Sequence, residues 1–88
     1  MTSSPDEIRI DLVLHALLRE VAGEDLITLR LSAGATAATA LATVVDRHPG
    51  LAIHAKTVAF ARADMIIRPD AILRDGDRVD ALPPVSGG

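Results

Sequence analysis

The chain contains no cysteine, tryptophan or tyrosine, and Phe60 is its only aromatic residue. Without thiols no disulfide can staple the fold, so an 88-residue domain has to be held by its own apolar core. A single aromatic ring leaves nucleic-acid bases almost nothing to stack on. Lysine is nearly missing as well: of nine basic residues only Lys56 is a lysine, and twelve Asp and Glu bring the formal net charge to −3. There is thus no basic patch to neutralise phosphates, which argues against a nucleic-acid partner. An acidic domain of this kind suits a basic protein surface better. No apolar run approaches the ~18 residues of a membrane span. Met1 to Glu7 shows neither the basic start nor the apolar stretch of a signal peptide. Three scattered histidines have no metal-ligand spacing. The expectation is one soluble cytoplasmic domain with no metal, membrane or nucleic-acid site.

About half of the residues are apolar, almost all of them Ala, Leu, Val and Ile, and their spacing carries the fold. Ile8, Ile10, Leu12 and Leu14 recur at period two, the pattern of a half-buried strand. Residues Ala16 to Ala22 are good helix formers closed by Gly23, which predicts a short helical turn. Alternation returns from Leu26 to Leu31, with Ile27, Leu29 and Leu31 inward and Thr28 and Arg30 outward. Gly34-Ala35-Thr36 then opens the one long helical pattern, with Thr36 as cap and Leu41, Val44, Val45 and His48 at helical spacing. Pro49-Gly50 ends it. Between Thr57 and Ile67 two short strands are expected, broken around Arg62-Ala63-Asp64. Asp75-Gly76-Asp77 reads as a tight turn, and Arg78 to Leu82 as a last strand with Val79 and Ala81 on one face. The order β-β-α-β-β-β predicts an α+β domain, a mixed sheet packed on one main helix.

Beyond Leu82 the chain reads Pro83-Pro84-Val85-Ser86-Gly87-Gly88. Two prolines stiffen the exit, and two residues without Cβ follow, able to enter a channel too narrow for side chains. A globular part over residues 1–82 and a flexible diglycine tail over 83–88 is the expected division. The bland reading of such an ending is a frayed terminus.

Taken together, Leu18-Arg19-Glu20 with Ala22-Gly23, Gly34-Ala35-Thr36, and Asp75-Gly76-Asp77 leading to Leu82 through Gly88 resemble the sulfur-carrier subunit of molybdopterin synthase, a ubiquitin-like family. The resemblance implies a β-grasp fold with the first and last strands parallel neighbours. It also implies a carrier that is not catalytic alone and binds no cofactor itself. A ubiquitin-activator-like enzyme would use ATP to adenylate the Gly88 carboxylate, and a sulfur donor protein would replace the adenylate to leave a thiocarboxylate. The large synthase subunit would then take up the tail, so that sulfur passes to a pterin dithiolene.

In that family an apolar patch beside the tail docks on partners, which by position points here to His15, Met65 or Ile66, and Leu82, together with Pro83, Pro84, Val85 and Ser86. His15 stands where relatives carry an aromatic residue, so it is either a contact or a surface histidine. Arg62 falls where relatives have a turn asparagine. Bland readings attach to the rest: His48 as a cation at a helix end, His54 as a solvated loop residue, Arg19 and Glu20 as surface charges, and Asp75 and Asp77 as turn formers. Ser86 has no base or attachment motif beside it. Two other functions fit the same residues: a carrier for the thiazole of thiamine or another sulfur-containing metabolite, and a ubiquitin-like modifier that forms an amide with a protein lysine.

Overall fold

The computed structural model describes residues 6–84; Val85, Ser86, Gly87 and Gly88, all singled out from the sequence, lie outside them. Alternating apolar residues give strand β1 (Glu7–Leu14) and strand β2 (Leu26–Ser32), which pair antiparallel from Glu7↔Ser32 to Val13↔Leu26. Between them lies helix α1 (Leu17–Ala22), stopped by Gly23, whose N–H donates to the Arg19 carbonyl. Helix α2 (Ala37–Arg47) starts at Thr36, whose hydroxyl accepts from the Thr39 N–H at 3.2 Å, a cap worth about 1 kcal/mol. Strands β3 (Ala59–Arg62), β4 (Met65–Ile67) and β5 (Arg78–Leu82) complete one sheet of order β2-β1-β5-β3-β4. β5 runs parallel to β1, and all other pairs are antiparallel. Parallel neighbours need a long crossover, and α2 with the segment after it provides one. This is the ubiquitin-like β-grasp.

The core lies between one sheet face and α2. Ile8, Ile10, Leu12 and Leu14 meet Ile27, Leu29, Leu31, Phe60, Val79 and Ala81 from the other strands. The helix contributes Ala37, Ala40, Leu41 and Val44, with Val45 only partly buried. Its buried stripe therefore begins at two alanines, small enough to let the helix lie close to the sheet, and not at Leu41. His48 is not part of that stripe. It caps the C-terminal end, and its Nε2 lies 2.7 Å from Glu24 Oε2, tying the end of α2 to the loop before β2.

The Pro49-Gly50 stop holds for α2, but the chain turns straight into a 3-10 helix, Pro49–Thr57. Only Leu51 is buried there, so no apolar periodicity marks this element in the sequence. Gly50 lets it approach α1, since a Cβ at that position would sit 3.1 Å from the Val21 side chain. His54, expected in a solvated loop, is instead half-buried within this helix.

Two turns carry backbone angles that their residues dislike. Ala63 and Asp64 both have positive φ, 53 and 64, as the two-residue β3–β4 hairpin demands. Ala16 has φ 50 and ψ −125, and the Leu18 N–H donates to the His15 carbonyl across it at 3.0 Å. These angles belong to the first central position of a type II′ turn, where a Cβ is crowded and glycine is favoured. Ala16→Gly should therefore raise stability by about 1 kcal/mol in chemical denaturation; an unchanged or lowered midpoint would show that no strain resides there.

Candidate functional site

Because β1, β2 and β5 turn one set of alternate residues toward α2, the other set forms the outer face of the sheet. Strand register places Leu26, Val13, Asp80, Ala61 and Ile66 in one row across all five strands. Val13 and Ala61 are buried although they lie outside the core cluster on the helix side, so this outer row has packing of its own. Ile66 stands out from it, 69% exposed.

At one end of the row lies a groove of about 400 Å³ lined by His15, Ala61, Asp64, Ile66, Asp80 and Leu82. Three of the sequence-derived docking residues, His15, Ile66 and Leu82, meet here. Each arrives by a different route. His15 follows the end of β1 and its N–H donates to the Ala81 carbonyl at 3.2 Å. Leu82 ends β5 opposite Ala59, and Ile66 sits on edge strand β4 opposite Ala61. Met65 is exposed too, but it pairs with Arg62 one position along and does not line the groove. Pro83, half-buried, and Pro84, exposed, continue directly from Leu82 beside it.

Asp80, passed over in the sequence, sits in the centre of this surface. Its signal was present: if Val79 and Ala81 face inward, residue 80 must share the outer face with Leu82. Its Oδ1 accepts from His15 Nε2 at 2.9 Å, and the two side chains are 28% and 42% exposed. His15 is thus a hydrogen-bonded member of the groove wall. Arg62 is not a turn residue. It ends β3, and its guanidinium donates to Asp77 Oδ2 at 2.9 Å and to the Ile72 carbonyl at 3.2 Å.

Asp77 also accepts from the Arg74 N–H at 2.8 Å, while Asp75 Oδ1 accepts from the Arg9 N–H at 2.8 Å. Together with Gly76 at φ 87, these bonds make 74–77 the bracket that aligns β5 with β1. Arg19 and Glu20 are exposed on α1. Among the described residues, no group of three or more His, Asp or Glu is gathered to hold a metal, and no helix is long and apolar enough to cross a membrane.

The sequence pattern of the ThiS family matches residues 12–88. The chain is 39% identical over 83 residues to a molybdopterin synthase sulfur carrier subunit from Chlamydomonas reinhardtii, covering 92% of this chain and 100% of the relative. Among solved structures it resembles SAMP1 from Haloferax volcanii, with a TM-score of 0.77 and 27% identity over 91% of this chain and 99% of that one. It shares its fold with a chain in the complex of subunits 1 and 2 of molybdopterin-converting factor from Helicobacter pylori, at a TM-score of 0.61 and 23% identity over 92% and 100% of the two chains.

The ligation of Asp77 by both a guanidinium and a backbone N–H gives it a structural task that can be measured. Asp77→Ala should lower unfolding free energy by about 1–3 kcal/mol, since it strands Arg62 and opens the turn. A variant as stable as the parent would remove this bracket from the account.

Proposed function

The chain belongs to the ThiS family, and on that premise we propose that it is the sulfur carrier subunit of a molybdopterin synthase, loaded and discharged at the carboxylate of Gly88. The observation that carries this reading is one of place: the groove of His15, Ile66 and Leu82 opens where β5 leaves the sheet and residues 83–88 begin. A partner that seats on the groove is thereby in register to receive the tail. Drawn out straight, those residues would carry a terminal carboxylate roughly 20 Å from the sheet.

The chemistry explains why such a protein needs partners. A carboxylate is a poor electrophile, so an adenylating enzyme of the ubiquitin-activator kind supplies ATP. A Gly88 carboxylate oxygen attacks the α-phosphorus and pyrophosphate departs. The outer sulfur of a persulfide on a donor protein then attacks the acyl carbon, and AMP leaves with the electron pair of the broken C–O bond. A thiol next attacks the donor's inner sulfur in the resulting acyl disulfide, which forms a new disulfide on the donor side and releases the Gly88 thiocarboxylate. With no cysteine in the chain, no side chain can carry the sulfur as a persulfide. The carrier contributes position and not catalysis, because a sheet docked on the partner delivers the tail to a closed pocket that excludes water. The large synthase subunit is the acceptor complex, and two loaded carriers supply the two sulfurs of one dithiolene. All of this takes place in the cytoplasm.

The likeness to SAMP1, a small archaeal modifier protein, favours a second reading in which the activated Gly88 acyl group forms an amide with a protein lysine. The higher identity to the synthase carrier favours the first.

One residue added after Gly88 should leave the melting temperature unchanged, since no core residue is touched, and should abolish dithiolene formation in a reconstituted synthase assay. Full activity of the extended chain would rule out terminal loading.

A further inference from the structure

The groove is not uniformly apolar, and the partly buried carboxylate at its centre constrains what can cover it. Ala61, Ile66 and Leu82 supply apolar surface, yet Asp80 occupies the middle of the row between Val13 on β1 and Ala61 on β3. Among the described residues His15 is the only hydrogen-bond partner of the Asp80 carboxylate, and the bond engages Oδ1 alone. Among the described residues no buried side-chain oxygen lacks a partner, so Oδ2 is reached by water in the free protein. A partner seated on Ile66 and Leu82 removes that water. If its surface were purely apolar, one carboxylate oxygen would be left dry and unpaired, a cost that apolar contact over so small a groove does not offset.

The charges divide between an acidic groove and an adjoining hollow, also lined by Asp80, that carries two arginines. Asp64 stands on the groove wall in the β3–β4 turn. Arg62, which lines the adjoining hollow, is turned to Asp77, and Arg78 in that hollow is exposed two positions before Asp80. The groove itself therefore offers two carboxylates against one imidazole.

We propose that the His15–Asp80 pair is the specificity element of this docking groove, selecting a partner surface that is apolar opposite Ile66 and Leu82 and carries a basic side chain to take Asp80 Oδ2. The inference rests on the docking reading above and names the chemistry of the partner, the large synthase subunit. In it His15 is a positioning residue: it fixes Oδ1 and leaves Oδ2 aimed at the incoming cation. A carrier surface with an apolar residue at position 80 would fit a different, uncharged counterface, so the pair also discourages exchange between carriers and synthases that are not matched.

The test is calorimetric titration of the full chain with its own large synthase subunit, at low and high salt, with melting temperatures recorded for every variant. Asp80→Asn keeps the shape and the bond from His15 but removes the charge; it should weaken binding about tenfold or more and abolish most of the salt dependence. His15→Ala should weaken binding in the parent chain and have no further effect once Asp80→Ala is present, which a merely structural role would not produce. Leu82→Asp reports separately on the groove. If it binds like the parent, the docking reading itself fails, and this inference with it. If Leu82→Asp is damaged while Asp80→Asn binds like the parent or better, the groove is used but the cationic partner group is refuted.

Discussion

Parallel pairing of β1 with β5 at the centre of the sheet is the contact on which the other features depend. It runs from Asp11↔Arg78 to Leu14↔Ala81 and joins the beginning of the chain to its end. Each strand taken alone is an ordinary amphipathic segment. Side by side they bury Leu12, Leu14, Val79 and Ala81 almost completely, and they place His15 next to Asp80. The same register decides where the chain leaves the sheet. A slip by one residue would send Val79 and Ala81 outward and Asp80 into the core, which no surrounding residue could accommodate.

The bracket at 74–77 protects that register. The Gly76 N–H donates to the Arg9 carbonyl at 2.7 Å and the Asp11 N–H to the Asp77 carbonyl at 2.9 Å, so the turn before β5 is sewn to β1 at its start. Arg62 adds a guanidinium from β3 on the other side. Residues that resemble a charged cluster in the sequence are in this way a clamp on strand alignment. The carboxylates fall into two sets: Asp75 and Asp77 are engaged in the turn before β5, and Asp80 and Asp64 line the groove.

Much of this was legible from spacing alone. Period-two alternation marked β1, β2 and β5, and Thr36 marked the start of α2, because a strand face and a helix cap are local properties of a few neighbouring residues. The 3-10 helix at Pro49–Thr57 was not legible, since it buries only Leu51 and leaves Ile53 exposed, so its side chains show no face. Sequence spacing starts the stripe of α2 at Leu41, because Ala37 and Ala40 carry little hydrophobic signal even though both are fully buried. At the site, His15, Ile66 and Leu82 followed from family likeness, whereas the bond from His15 to Asp80 joins residues 65 positions apart and has no local signature. Only the parallel register brings that pair together.

In the proposed function the labour divides between a stiff handle with one polar-marked groove and a terminal acyl group that other proteins would use. Intact-mass measurement of the chain co-produced with an adenylating enzyme and a sulfur donor tests this most directly. The account predicts a species in which one oxygen has been replaced by sulfur, with fragmentation placing the change on Gly88. A mass that stays that of the free carboxylate while the activator consumes ATP, or a sulfur found on any other residue, would contradict it.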